Sequence, residues 1–561
     1  MVSPVGRRGL SQASSKVTFK PASPLALQTK ENPDVEARWE EISTGTDAEY
    51  YPRIIPDSNR RQSIKAFRKM YSHLETESQL EDKAYLTTLY DVASDGFKVQ
   101  IVSSLKRSEA SQDDFDMAYA ELRRGDIISI TGSPGKTRSD ELSLYSSELP
   151  QRLAASLHLP PPQLEDGEKR AQSRHVDLMV NLSPLHILLA RSFVINWIRK
   201  YLLYNNFTEV STPILAELSG GAAAKPFETA SRVFGDSRKL QMRIAPELWL
   251  KRLVIGGLER VFEIGPNFRN ENADATHNPE FYSCEFYEAY ADIETLKQRT
   301  TNMLVDLFHE FEEFRAKDFP RVKPWYDRKF NKKFKAPFQE IDFIGGIEKA
   351  MGRKLPLLHE PGALEKLLEI IDGVGIERPV NCTLPGVLDY LASTYIEPEC
   401  MEPTFVTDIP ACLSPLSKTS NRISDNQVVA HRAELYVNGK ELANLYEEEN
   451  SPFQQRMKFI EQSSYRVAVA KNSGQTIEKL EESEQVLPEM PVDESYIGAL
   501  EWGLPPTGGW GIGLDRLVML LCDAEKIGDV MAFGGLRATV LAGRGIKPIA
   551  TSDPDQEPKE F

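Results

Sequence analysis

VFEIGPNFRN (261–270) and EFYSCEFYEAY (280–290) are two alternating runs separated by the polar stretch ENADATHNP (271–279). Alternation of this kind reads as strand, loop, strand. Period two sets Phe281, Glu285 and Tyr287 on one face of the second strand, and Arg269 sits where the first strand ends. A lone arginine there is usually a surface charge. Here Arg269, Glu271, His277, Asn278 and Phe281 crowd one hairpin. That combination suits a nucleotide: a guanidinium for phosphate, a flat ring for the base and polar edges to read it. From about residue 165 onwards the chain reads as mixed helix and strand, an α+β organisation.

Two further segments carry chemistry. In GGWGIGLDRLVMLL (508–521) the glycines let backbones approach closely, and Asp515 and Arg516 open a helix. A helix N-terminus with an arginine is an anion site; an ordinary Gly-rich strand before a core helix is an equal reading of the segment alone. Neither the dinucleotide-binding spacing nor G-x-x-x-x-G-K-[ST] occurs. AELYVNGKELANLYEEEN (433–450) holds Asn438-Gly439 between alternating apolar residues, a two-residue hairpin signal. The turn pairs Val437 with Lys440 and Tyr436 with Glu441, and leaves Glu434 diagonal to Glu441 on one face. Two carboxylates so placed can share a divalent cation, Mg²⁺ with bound phosphate being the natural guest; a solvated acidic edge is the equal alternative. Strict alternation puts Asn444 and Glu448 on the other face, so they reach the same pocket only if the strand bulges or ends there.

The chain has 561 residues, 41% hydrophobic and 27% charged, an ordinary globular composition spread over a few domains. A net charge of -16 argues against a protein held on nucleic acid by bulk positive charge, while leaving room for a local basic face. No apolar run approaches a membrane span, and no membrane contact is expected. Cys284, Cys382, Cys400, Cys412 and Cys522 show no ligand spacing and read as free thiols. Residues 1–30 are basic, serine-rich and free of acids, which fits a mitochondrial transit segment and a matrix location; a disordered basic tail on a cytoplasmic protein is the alternative. Residues 31–62 read as a linker and 546–561 as an acidic tail. Between 63 and 160, a helical SIKAFRKMYSHL (63–74) precedes short runs, AYLTTLYDV, FKVQIV, GDIISITG and ELSLY, with a Pro-Gly turn at 134–135. These suggest a small β-barrel. Phe193, Val194, Trp197, Ile198, Tyr201 and Leu202 share one helix face. The helix leads into FTEVSTPIL, a strand broken by Pro213 and therefore at a sheet edge. Residues 316–400 look like an insertion in a domain spanning 165–545.

Together these segments resemble the three motifs of class II aminoacyl-tRNA synthetases: the helix and strand ending at Pro213, FRNENADATHNPEF (268–281), and GIGLDR (511–516). GGAAAKPFET (220–229), MRIAPELWLKRLVIGGLERVFEIG (242–265), PTFVTDIPACLSPLSK (403–418), NGKELANLYEEEN (438–450) and LEWGLPPTGGWGIGLDRL (500–517) are similar to lysyl-tRNA synthetases in particular. The resemblance implies a seven-stranded, mostly antiparallel sheet flanked by helices, an N-terminal OB-fold for the anticodon, and a homodimer through the helix and strand around 190–215. It implies ligation of L-lysine to tRNA(Lys) by way of a lysyl-adenylate, with ATP as substrate and Mg²⁺. By position, Arg269 would hold the α-phosphate and Arg516 the γ-phosphate. Phe281 would stack on adenine with Glu271 and His277 nearby, and Glu434 and Glu441 would hold Mg²⁺. Gly220, Glu247, Glu285, Tyr287, Asn444 and Glu448 would line the lysine pocket. A long cationic substrate needs buried carboxylates and a hydroxyl at the far end of its pocket, and this set offers both.

One departure stands out. SIKAFRKMYSHLETESQLEDKA (63–84) runs straight into YLTTLYDV, with no counterpart of the first barrel strand or the start of the second. The barrel is therefore either incomplete or belongs to a chain lacking a segment, which leaves anticodon binding open. Two rivals are a relative that lysylates a protein acceptor and a catalytically inactive binding protein. GDIISITGSPGKTRSDELSLY (125–145), which resembles closing barrel strands, counts against the first; the intact Arg269, Arg516, Glu434 and Glu441 count against the second.

Overall fold

The computed structural model describes residues 33–45, 50–51, 62–74, 87–94, 97–218, 220–221, 224–233, 239–318, 334–472 and 492–543. The basic segment 1–30 and the acidic tail lie outside these residues. The chain forms two compact units, residues 1–185 with 537–561 and residues 186–536.

In the first unit, strands Thr87–Ser94 and Phe97–Ser104 form an antiparallel hairpin. The second also runs parallel to Leu142–Ser146, which pairs with Gly132–Lys136. The strands fit an OB-like domain. Helix Ile64–Tyr71, capped by Ser63, lays Phe67 over Val99, Ile101 and Leu142. Two expectations are corrected here. Pro134-Gly135 is not a turn: both lie inside Gly132–Lys136, and the chain reverses at Thr137–Glu141, with Asp140 at positive φ. That strand ends the sheet, where a missing N–H costs no ladder bond, and a side chain at Gly135 would meet the Tyr145 ring at 2.6 Å. The expected linker 31–62 contains helix Pro33–Thr44. Its proline stands at the first helical position. Its buried Arg38 bonds Asp126 at 3.0 Å, which fixes the segment in place.

The second unit is built on one sheet. In chain order its main elements are α1 (Leu182–Tyr204, whose first turn belongs to the first unit), β1 (Thr208–Glu209), α2 (Glu247–Ile255), β2 (Arg260–Phe268), β3 (Glu280–Ala289) and α3 (Ile293–Asp318). Next come β4 (Gln339–Asp342), α4 (Phe343–Met351), α5 (Ala363–Val374), α6 (Leu384–Tyr395), β5 (Thr404–Thr407), β6 (Arg432–Val437) and β7 (Lys440–Glu447). The unit closes with α7 (Pro452–Asn472), α8 (Glu494–Leu500), β8 (Thr507–Gly513) and α9 (Leu514–Leu521). The eight strands lie in the order β4-β5-β6-β7-β8-β3-β2-β1. Only β4/β5 and β1/β2 are parallel. The sheet has eight strands rather than seven when the two-residue β1 at its edge is included. β1 stops before Pro213, as a proline at a sheet edge allows, and Leu215–Ala216 pairs in a separate small sheet.

One sheet face is covered by helices. Val194, Ile198 and Leu202 of α1 and Met303, Leu307 and Phe311 of α3 pack on Phe262, Phe286, Leu435, Leu445, Trp510 and Ile512. Phe286 stacks on Trp510 with centroids 4.8 Å apart. Helices α4, α5 and α6 build a core of their own, including Ile347, Leu367, Ile371 and Leu388. It is tied to the main sheet by β4. Among the described residues no single helix is long and apolar enough to cross a membrane. The five cysteines are free thiols.

Candidate active site

The other face of the sheet, on which α2 and α8 pack against Val261 and Tyr287, carries the predicted residues. Along β8, alternation sends Trp510 and Ile512 into the core and Gly509 and Gly511 to the opposite face. These glycines are needed for space. A Cβ on Gly509 would lie 1.9 Å from Glu448 Oε1 and 2.7 Å from Tyr287 Cε1. Tyr287 pairs with Gly509 and Glu285 with Gly511 across the β3/β8 ladder, so bare backbone floors a pocket walled by Glu285, Tyr287 and Glu448. Glu247, in the first turn of α2, forms a further wall. Gly220 lies against Leu248, the residue after Glu247, and its own Cβ would meet Leu248 Cδ1 at 2.6 Å.

This pocket concentrates carboxylates. Desolvation raises the Glu285 carboxyl to about 8, with Glu247 pushing the same way and Arg269 and Arg243 opposing. Glu448 also rises to about 8, by burial first, with Lys251 opposing and Glu247 adding. Burial, with Glu247 and Glu285, raises the Tyr287 phenol well above its ordinary value, so it stays a donor; its Oη lies 3.5 Å from Glu285 Oε2. Lys251, four residues along α2 from Glu247, is fully buried between two carboxylates. Its Nζ lies 2.6 Å from Glu247 Oε1 and contacts Glu448 Oε2. Behind Glu285, Arg243 pairs with Glu263, which accepts from both the N–H and the hydroxyl of Thr212.

The β6/β7 hairpin pairs as expected at Val437↔Lys440 and Tyr436↔Glu441, then shifts register between Leu435 and Tyr436, leaving Leu442 as an extra residue. That bulge is the condition under which Asn444 joins the carboxylates. Asn444 is opposite Glu434, and its Nδ2 donates to Glu441 Oε1. Arg432 donates to Glu434 and, at 2.6 Å, to Asn444 Oδ1, and Tyr436 Oη donates to Glu434 Oε2 at 3.0 Å. Burial raises the Glu434 carboxyl, against the pull of Arg432 and with the push of Glu441. Among the described residues no group of three or more His, Cys, Asp or Glu side chains could hold a metal by itself. The Asn444 amide is already engaged, its Oδ1 accepting from Arg432 and its Nδ2 donating to Glu441, while the donor set of the Glu434 and Glu441 carboxylates is all hard oxygen. It fits an ion such as Mg²⁺, which typically takes one or two carboxylates and completes its shell with water and substrate phosphates.

At the open end, Arg269 stands with its guanidinium carbon 5.0 Å from the centroid of Phe281, and its Nε is buried without a hydrogen-bond partner among the described residues. Arg516, in the first turn of α9, donates to the Glu441 carbonyl at 3.1 Å and meets His277 Nε2 at 2.7 Å. A guanidinium only donates, so His277 Nε2 accepts and its proton sits on Nδ1, 2.8 Å from Asp274 Oδ2. Hydrogen bonds, first from the Thr276 backbone, hold the Asp274 carboxyl well below its usual range. Asp515 points elsewhere: it accepts from Arg191 and from the Tyr282 N–H, joining α1 and β3 to α9. Asn278 bonds the Glu280 carbonyl and the Leu536 N–H, and Glu271 is exposed.

The structure thus brings Glu247, Glu285, Tyr287 and Glu448 together in one pocket, and Glu434, Glu441 and Asn444 on the neighbouring hairpin. Arg516 links that hairpin to His277. Residue-by-residue reading missed Lys251, Arg243, Glu263 and Arg432. Two left a signal: Lys251 is i+4 from Glu247 on a helix, and Arg432 is two residues from Glu434 on a strand. Arg243 and Glu263 meet only through the tertiary fold.

The family model for class II tRNA synthetases (D, K and N) matches residues 166–537. Lysine–tRNA ligase cla4 of Cladosporium cladosporioides is 38% identical over 455 residues, 79% of this chain and 72% of the relative. A probable cytoplasmic lysine–tRNA ligase of Encephalitozoon cuniculi is 39% identical over 449 residues, covering 79% and 82%. A mitochondrial lysine–tRNA ligase of Schizosaccharomyces pombe is 38% identical over 457 residues, 80% of each chain. With the model spanning most of the chain and these relatives covered over most of their length, the chain belongs to the class II tRNA synthetases and, within them, to the lysine–tRNA ligases.

Proposed function

We propose that this cleft activates the carboxylate of L-lysine with ATP and passes the lysyl group to tRNA(Lys) in translation. The observation that carries the reading is the pocket of three carboxylates, Glu247, Glu285 and Glu448, with the Tyr287 phenol, over a glycine floor. Such a pocket selects an extended side chain ending in an ammonium. An aspartate side chain would add a further carboxylate to this set, and an asparagine would bring no cation to pair with it.

Gly220, Glu247, Glu285, Tyr287, Asn444 and Glu448 line the lysine site. Arg269, whose Nε has no partner among the described residues, receives the α-phosphate beside the attacking carboxylate. Phe281 stacks on the adenine, whose edges meet Glu271, His277 and Asn278. Arg516 grips the γ-phosphate. Glu434 and Glu441 hold Mg²⁺, which when bound supplies charge neutralisation to the phosphates. A lysine carboxylate oxygen bonds to the α-phosphorus as the bond to pyrophosphate breaks. The tRNA 3′-terminal hydroxyl then attacks the lysyl carbonyl, releasing AMP and losing its proton. No dedicated base is required, because in-line positioning and arginine charge carry the first step.

ATP–pyrophosphate exchange with a panel of amino acids tests the reading. Exchange driven by lysine alone is expected, and exchange driven by aspartate or asparagine would overturn it. Homodimerisation through 190–215 is supported by the exposed Leu203, Tyr204, Ile214 and Leu215. A monomer mass in light scattering at micromolar concentration would refute it. Relatives of similar identity are named for mitochondrion and cytoplasm. The composition of residues 1–30 favours the mitochondrial matrix, and failure of the full chain to enter isolated mitochondria would exclude it.

A further inference from the structure

Lys251 is a buried ammonium inside a pocket that otherwise collects negative charge. It is fully buried, and its Nζ lies 2.6 Å from Glu247 Oε1, in contact with Glu448 Oε2 and 5.8 Å from the Tyr287 ring centroid. Glu247 belongs to its own helix, Glu448 follows β7, and Tyr287 belongs to β3, so one cation joins three elements. Tyr496 of α8 also faces it, with an Oη that is buried and without a partner among the described residues. Glu285, beside Tyr287 on β3, is the one pocket carboxylate without an ion pair to a cation among the described residues, and Arg252 acts on Tyr496. Glu448 Oε1 is buried with no hydrogen-bond partner among the described residues and points at Gly509.

We propose that Lys251 is a positioning and specificity-determining residue: its fixed ammonium locks Glu247 against Glu448 and cancels one negative charge, so that the pocket accepts one further ammonium, that of the substrate side chain. The proposal rests on the reading of this cleft as a lysine site. Without Lys251, three carboxylates would crowd one desolvated space. Like charges so placed hold one another protonated or apart. Held by Lys251, Glu448 and Glu247 present fixed acceptors to the substrate ammonium. The neighbours of Lys251 set the direction of its own titration: burial opposes its charge, but Glu247 and Glu448 outweigh burial and raise it well above its ordinary value, so it stays charged.

The test compares wild type with Lys251→Ala and Lys251→Met by lysine-dependent ATP–pyrophosphate exchange, with folding followed by thermal unfolding. Lysine-driven exchange by the wild type is the control that separates failure of the site reading from failure of this inference. In both variants the KM for lysine should rise by about tenfold or more while the KM for ATP moves less than about twofold. The pH at which lysine KM reaches its minimum should move alkaline, because Glu448 loses the cation that opposes its protonation. Lys251→Ala deletes the equivalent of propylammonium. Added propylammonium should lower its lysine KM towards the wild-type value, 1-propanol should not, and in the wild type the amine should only compete with lysine. Unchanged lysine KM and pH profile in either folded variant, or equal rescue by propanol, would overturn the proposal. If the alanine variant does not fold, the methionine variant, which keeps the apolar stem, decides by KM and pH profile.

Discussion

Glu285 and Glu448 each sit at about 8 in the empty pocket, so near neutral pH both are largely protonated. A bound ammonium favours their ionised forms. The free site therefore holds more protons than the complex below about pH 8, and affinity for lysine rises with pH up to that point and then levels. At pH 7, lysine binding should release between about one and two protons, read as a dependence of the calorimetric heat on the ionisation enthalpy of the buffer. Glu285→Gln should lose its share of the slope and retain that of Glu448. Heats that do not vary with buffer would sink this account. For the empty protein the sign is the reverse of the usual stabilising carboxylate. The unfolded chain gives up these protons near the normal glutamate range and the folded one only near 8, so their contribution to stability falls as pH rises between those limits.

Hairpins and glycines decide the site at the scale of elements, and here legibility divided. Asn438-Gly439 fixed a two-residue turn and hence Val437↔Lys440 and Tyr436↔Glu441, because a turn of that kind sets register locally. The bulge at Leu442 was legible only as a condition, since nothing in KELANLYEEEN (440–450) distinguishes a slipped residue from a regular one. It is packing of the core-facing Leu435, Ala443 and Leu445 that fixes it. Pro134-Gly135 misled because turn residues also suit an edge strand whose neighbour lies close. Lys251 and Arg432 were within reach of periodicity, whereas Arg243 and Glu263 depend on contacts between elements. The glycines of β8 were read as room for close approach, and the structure shows what approaches: Glu448 and Tyr287. Gly509→Ala should therefore raise the lysine KM by about tenfold or more, a loss of at least about 1.4 kcal/mol of binding, because Tyr287, rooted in the core, cannot yield. The KM for ATP should hold, as Arg269 and Arg516 are anchored on other elements. Exchange assays at varied lysine and varied ATP check this, and equal effects on both substrates would show a general distortion.

The whole molecule is two units with separate cores, and the candidate site lies in one of them. Phe67, Val99, Ile101 and Leu142 form the small core of the N-terminal strands, while the cleft stands on the cores built around Phe286 and Trp510 and around Leu248 and Tyr496. On the proposed reading, adenylate formation draws only on residues of the second unit. Selection of tRNA, with a net charge of -16 set against a polyanion, needs a local surface elsewhere, and the OB-like strands are the candidate. Ile101, 2% exposed, is the place to separate the two steps. Replacing it with aspartate buries a charge without a partner in a four-residue core, which costs more than about 3 kcal/mol and unfolds so small an assembly. In Ile101→Asp, lysine-dependent ATP–pyrophosphate exchange should stay close to wild type while charging of full-length tRNA(Lys) falls steeply, through a raised KM for tRNA. Charging that persists at the wild-type level would show that the N-terminal strands take no part in tRNA binding. Loss of both activities together would show that the catalytic unit depends for its own folding on the strands that precede it.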